Sequence, residues 1–147
     1  MQQFYPYFIS FHVVFSVVFL LTAIFITVYS LRGWIKDKSY NKFENNLRNT
    51  FLILLYVDLV LGIILYFFMQ KPTDASTAEE AMEYAYFRFW AIQHFANMVF
   101  IVIICTIGNL FIKKTSKPVK KHKYSFLYFG VSTVLILITV GMFLLRK

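Results

Sequence analysis

The sequence predicts an all-α integral membrane protein, a single four-helix bundle over residues 1–147. Three observations lead there. Of 147 residues, 59% are hydrophobic and 20% aromatic, and phenylalanine alone accounts for 18. A soluble domain of this size keeps much of its surface in water and could not hide so much apolar area. The apolar residues also fall into four runs, each close to the ~20 residues that cross about 30 Å of hydrocarbon. Finally, the basic residues cluster in short connections between the runs, the usual mark of an oriented membrane chain.

The spans are predicted at about residues 7–31, 50–69, 86–112 and 125–145. The first carries no charge and one histidine, His12. No Lys or Arg precedes it and no A-x-A-like site closes it, so it reads as a permanent span and not a cleaved signal peptide. The second contains Asp58. The third opens on FRFWAIQHFANM and so brings Arg88 and His94 into or beside the bilayer. In the loop before it, Pro72 stops the second helix, and Asp74 or Ser76 is placed to cap a short helix through Ala85. Pro118 interrupts the next loop, and the fourth span follows.

The net charge is +8. In a soluble protein this would suggest nucleic acid; here it reads as membrane orientation. The first loop holds Arg32, Lys36, Lys38, Lys42 and Arg48; the third holds Lys113, Lys114, Lys117, Lys120, Lys121 and Lys123. Together they carry eleven of the fifteen basic residues. The positive-inside asymmetry predicts that these loops face the cytoplasm and both termini face outward. Arg146 and Lys147 pull weakly the other way. Trp34 and Tyr40 suit the inner interface; Tyr5, Tyr7, Tyr84 and Tyr86 suit the outer one.

Ionisable groups in hydrocarbon are expensive and usually have a pairing or functional reason to be there. His12, Asp58 and His94 all fall in the predicted outer half, at depths of roughly 7–16 Å at 1.5 Å per residue. Phe87, Trp90, His94, Met98, Ile101, Cys105 and Gly108 form one helical stripe. Asp58 and Gly62 lie a turn apart on another helix. Gly130, Thr133, Leu137 and Gly141 make a stripe of mostly small residues that lets helices approach or leaves room for a flat cofactor.

That cofactor is expected to be b-type haem. Iron in a helical bundle is held by side chains on facing helices, and imidazole is a common axial ligand. His12 and His94 are the only histidines within the spans and are the expected metal ligands. Arg88 is placed to meet the propionates, Asn97 to hydrogen-bond a ligand ring or a propionate, and aromatic side chains, Trp90 among them, to pack the macrocycle. Each residue has a plainer reading. A membrane histidine often only bonds a neighbouring helix, Arg88 alone is a snorkelling interface residue, and Met98 and Cys105 are core packing. Asp58 is a candidate hydrogen-bond or proton site, protonated or paired with His94 or a tyrosine, and expected to face the interior beside Gly62. His122, among lysines in KKHKY, reads as a solvated loop residue.

RFWAIQH, the early histidine of the first span and the KHK cluster before the fourth together resemble a group of small four-span bacterial membrane proteins. These are loosely labelled cytochrome b-like and are best represented in the Bacteroidetes lineage. The likeness covers most of the chain. In that group the residue before the third-span histidine is often acidic, where this chain has Gln93. The resemblance implies haem on His12 and His94, with Arg88 in support, in a bacterial inner membrane.

The expected role is therefore electron transfer, as a carrier or subunit more than a self-contained enzyme, with quinol or a respiratory-chain partner and the lipid bilayer around it. Two other classes stay open: an accessory subunit, in a homo- or hetero-oligomer and without its own cofactor, and a small metal- or proton-handling protein. Four spans with no inverted repeat and no broken helix give little machinery for alternating access. No Walker loop, G-x-S-x-G, HExxH or CxxC occurs.

Overall fold

The computed structural model describes residues 4–68 and 77–145. Four helices account for its regular structure: α1 (Tyr5–Ile35), α2 (Lys42–Phe68), α3 (Ala78–Lys114) and α4 (Pro118–Leu145). No strand occurs among the described residues. Each helix is long and apolar enough to cross a membrane, so this is a multi-pass membrane protein. Its outer faces match a hydrocarbon solvent: Leu21 is 62% exposed and Phe25 50%. Each helix packs on the next, and α4 closes the ring on α1, which leaves α1 and α3 on a diagonal.

The helix ends explain where the predicted boundaries move. α1 starts with Pro6 in its first turn, where a missing N–H costs nothing. It stops at Asp37, whose φ of 47° turns the chain. Asp tolerates this left-handed conformation better than most residues. From Ala78 the expected short helix through Ala85 is the start of α3 itself, not a separate element. Thr77 accepts from the Glu80 N–H while the Glu80 side chain accepts from the Thr77 N–H, a reciprocal capping box. From there the helix runs unbroken to Lys114, because no proline interrupts 78–114. The expected caps Asp74 and Ser76, with Pro72, lie outside the described residues.

α4 begins at Pro118, seven residues before the expected span. KKHKY therefore belongs to a helix, which overturns the solvated-loop reading of His122. That side chain is fully buried. It packs on Gly33 of α1, where any Cβ would overlap its ring. Its Nε2 donates to the Ser39 carbonyl at 3.2 Å, and its ring meets Tyr40 edge-on at 5.1 Å. The lysines around it snorkel: Lys121 and Lys123 lie over the Tyr40 and Trp34 rings.

This basic end is closed by polar contacts as well. Arg48 is buried and donates to Asn45 Oδ1 at 2.7 Å. Glu44, also buried, accepts from the Asn41 N–H at 2.7 Å and the Tyr29 hydroxyl at 3.3 Å. Burial raises the Tyr40 phenol above its ordinary value, with Arg48 and Ser125 opposing that shift.

Mid-bundle, Phe51 packs at a tilt between Phe19 and Phe129 at centroid distances of 5.5 and 4.7 Å. Hydroxyl and thiol pairs join the helices: Thr27 to Thr133 at 3.1 Å and Cys105 to Ser132 at 3.1 Å. Gly108 lets Tyr128 lie directly against α3. The expected α4 stripe holds only in part. Gly130 and Thr133 are buried, but Leu137 is exposed, and the interior line passes through Ser132 and Ile136 instead. A stripe chosen for small residues misplaced the seam by one position, because packing against both α1 and α3 widens the buried face of α4.

Candidate functional site

The opposite end of the bundle is less tightly filled. Where α1, α2 and α3 converge, away from α4, a cleft of about 270 Å³ opens. Its walls are aromatic and aliphatic, from Tyr5 and Ile9 to Tyr66, Phe87 and Phe95, and its polar groups include His12, Asp58, Trp90 and His94.

Each polar side chain is placed by helical spacing. His12 and Ser16 are one turn apart on α1 and share a face. Ser16 Oγ donates to Asp58 Oδ1 across the α1–α2 junction at 2.6 Å. The same oxygen stands 3.4 Å from His12 Nδ1, an ion-pair distance whose geometry falls short of a hydrogen bond. Asp58 is 4% exposed and does face the interior near Gly62. Its partners, however, are His12 and Ser16, not His94 or a tyrosine. A carboxylate held this way turns the Nδ1 edge of His12 toward α2 and leaves Nε2 without that contact.

Gly62, one turn beyond Asp58, keeps space open beside the imidazole. A Cβ there would meet only His12 Cε1, at 3.9 Å.

On α3, Trp90 and His94 are a turn apart, and their rings stack at 5.0 Å with planes 12° from parallel. His94 Nδ1 is buried with no hydrogen-bond partner. The two imidazoles sit on diagonal helices and line the same cleft. Met98, one turn below His94, is buried in the floor of the cleft.

The site therefore gathers His12, Asp58, Trp90 and His94. It does not gather Arg88 or Asn97. Arg88 is exposed and does not line the cleft. Asn97 turns to α4 and donates to Thr139 Oγ1 at 3.1 Å. Arg88 lies roughly 120° around α3 from His94, whereas Asn97 is only about 60° away but on the side that faces α4. Ser16 was missed by the sequence reading, although its i+4 spacing from His12 is a legible signal. Among the described residues, no three His, Cys, Asp or Glu side chains converge closely enough to hold a metal ion alone.

No protein-family profile, characterised protein or solved structure matches this chain.

Proposed function

We propose that the cleft holds b-type haem and that the protein carries single electrons in a membrane, with His12 and His94 as the axial ligands. The observation that carries this reading is the placement of both imidazoles on one cleft, from helices on opposite corners of the bundle. A bare metal ion needs three or more protein donors. A haem brings four nitrogens of its own and asks the protein for two at most. The donor set present suits the second case.

Further support comes from the groups behind the ligands. A ligating histidine commonly presents its other ring nitrogen to a carboxylate, which fixes the ring and raises its basicity. Asp58, steadied by Ser16, stands in that position for His12. The stacked indole of Trp90 limits rotation of His94. Gly62 leaves clearance for a flat group, and apolar walls exclude water. At about 270 Å³ the cleft is small for a cofactor site, and its open side is where a larger ring system would extend. When bound, haem would supply the one-electron couple; the chain's part is to hold, orient and desolvate it. The resemblance of RFWAIQH and the early histidine to cytochrome b-like proteins agrees with this. Because Arg88 and Asn97 lie off the cleft, the reading assigns them no part in ligation.

By the same basic-residue asymmetry, the cleft end is assigned to the outer side of a bacterial inner membrane.

The test is absorption spectroscopy of the purified protein made with ample haem. A six-coordinate low-spin spectrum is expected from the parent. His12→Ala and His94→Ala should turn it high-spin or empty it. Unchanged loading in either variant would refute the pairing, and a colourless parent would refute the haem and leave the accessory-subunit reading ahead.

A further inference from the structure

A second, smaller hollow lies back to back with the cleft, on the α3–α4 face, with room for about 140 Å³. Trp90 forms part of both walls. Besides Trp90, four uncharged polar side chains line this groove: Tyr86, Gln93, Asn97 and Thr139. Asn97 and Thr139 bond to each other. Gln93 is different: it is exposed on the lipid-facing side and has no hydrogen-bond partner among the described residues. It sits next to His94 in an apolar stretch. An unpaired amide in hydrocarbon costs several kcal/mol on water-to-alkane scales, roughly 4–8 for a fully desolvated group. Its retention there calls for a partner that arrives from the membrane.

The lining narrows what that partner is. The groove holds no charged side chain, so it does not select a phosphate or an ammonium. Aromatic Trp90 on one side and flexible Met142 and Ile138 on the other make a slot for a flat ring. The Thr139 hydroxyl donates to the Leu135 carbonyl at 2.9 Å, so the donors left over are amide N–H groups of Gln93 and Asn97, which ask for carbonyl or hydroxyl oxygens on the ring's edge. A volume near 140 Å³ fits one small ring system and not a macrocycle. We propose that this groove binds the ring of a neutral isoprenoid quinone, with the amide N–H groups of Gln93 and Asn97 meeting its carbonyl oxygens and its tail left in the bilayer. The proposal gives a place to the quinol partner expected from sequence. It concerns binding alone, so it does not depend on haem being present in the neighbouring cleft.

The experiment uses the haem-free full chain in nanodiscs, in a Trp34→Phe background that leaves Trp90 as the sole tryptophan. Decylubiquinone is the probe, since quinones quench indole emission on contact. Saturable quenching is expected, with Gln93→Leu weakening binding by tenfold or more. Because Gln93 bonds to nothing in the fold, this variant should melt like its parent. Quenching that rises linearly without saturation, as simple partitioning into lipid does, would overturn the proposal. So would saturable quenching that ignores Gln93→Leu but is lost in Gly62→Leu, since that places the quinone in the histidine cleft.

Discussion

The two ends of this bundle use the same residue types for opposite purposes. At the basic end, Gly33 and Gly108 are filled against: the His122 and Tyr128 rings lie where a Cβ would be. At the cleft end, Gly62 has only His12 Cε1 near it, and Gly141 has nothing within 4 Å. Histidine divides the same way. His122 is fully buried, its Nε2 donating to a backbone carbonyl and its Nδ1 shut against Gly33 without a partner. His94 is buried at Nδ1 with no hydrogen bond there, and His12 leans on a carboxylate at 3.4 Å. One end closes packed side chains around its histidine, and the other leaves open space beside His12 and His94. Glycine and histidine in a membrane helix therefore have no fixed meaning until the opposing helix is known.

The sharpest way to break this comparison is at the glycines. Gly108→Val should cost about 3 kcal/mol, because the opposing atoms sit near the Tyr128 backbone and cannot step aside. Gly62→Ala should be neutral or stabilise by up to about 1 kcal/mol, the helix-propensity difference with no clash to offset it. Thermal melts in detergent decide this, and equal losses at both sites would erase the distinction between the ends.

His122→Ala should cost roughly 2 kcal/mol through the void beneath Tyr40 and the orphaned Ser39 carbonyl. The spectrum of any haem at the other end should not change. Loss of haem in His122→Ala with the fold intact would move the site to the basic end.

Asp58 distinguishes polar support from filler. Asp58→Asn keeps an acceptor for the Ser16 hydroxyl, whereas Asp58→Leu does not. The Leu variant should be less stable than Asn by about 1–2 kcal/mol in detergent unfolding. With haem bound, Asn should raise the midpoint potential by removing negative charge behind His12. A Leu variant as stable as the parent would make the interior polar role untenable.

Alkaline pH probes the basic end. Tyr40 is raised above its ordinary value of 10.0, chiefly by burial. A group whose folded value is raised adds stability that is fully present below the unfolded value and lost as pH climbs through the folded one. Stability should therefore begin to fall above pH ~10. Tyr40→Phe should blunt that fall, as followed by far-UV circular dichroism against pH.

The smallest effect is expected at Thr77→Ala. Loss of the capping box should cost about 1 kcal/mol and fray the first turn of α3, with faster hydrogen exchange at the Glu80 amide. The cleft lies several turns further along and should keep its ligand spectrum.

By itself the sequence determined the number of helices and their membrane character, because apolar length and loop charge are one-dimensional properties. It also singled out His12, Asp58 and His94, because ionisable residues stand out in an apolar run. It missed the early start of α4, since Pro118 works as a first helical residue as readily as it works as a breaker. It assigned Arg88 and Asn97 to the site on proximity along the chain, whereas Arg88 faces away around α3 and Asn97 bonds Thr139 of α4. Only the tertiary structure decided that Asp58 answers His12, that Ser16 joins them, and that Gln93 stands unpaired beside a second groove. Those are relations between helices, set by rotation and register across the bundle, and a hydropathy pattern carries neither.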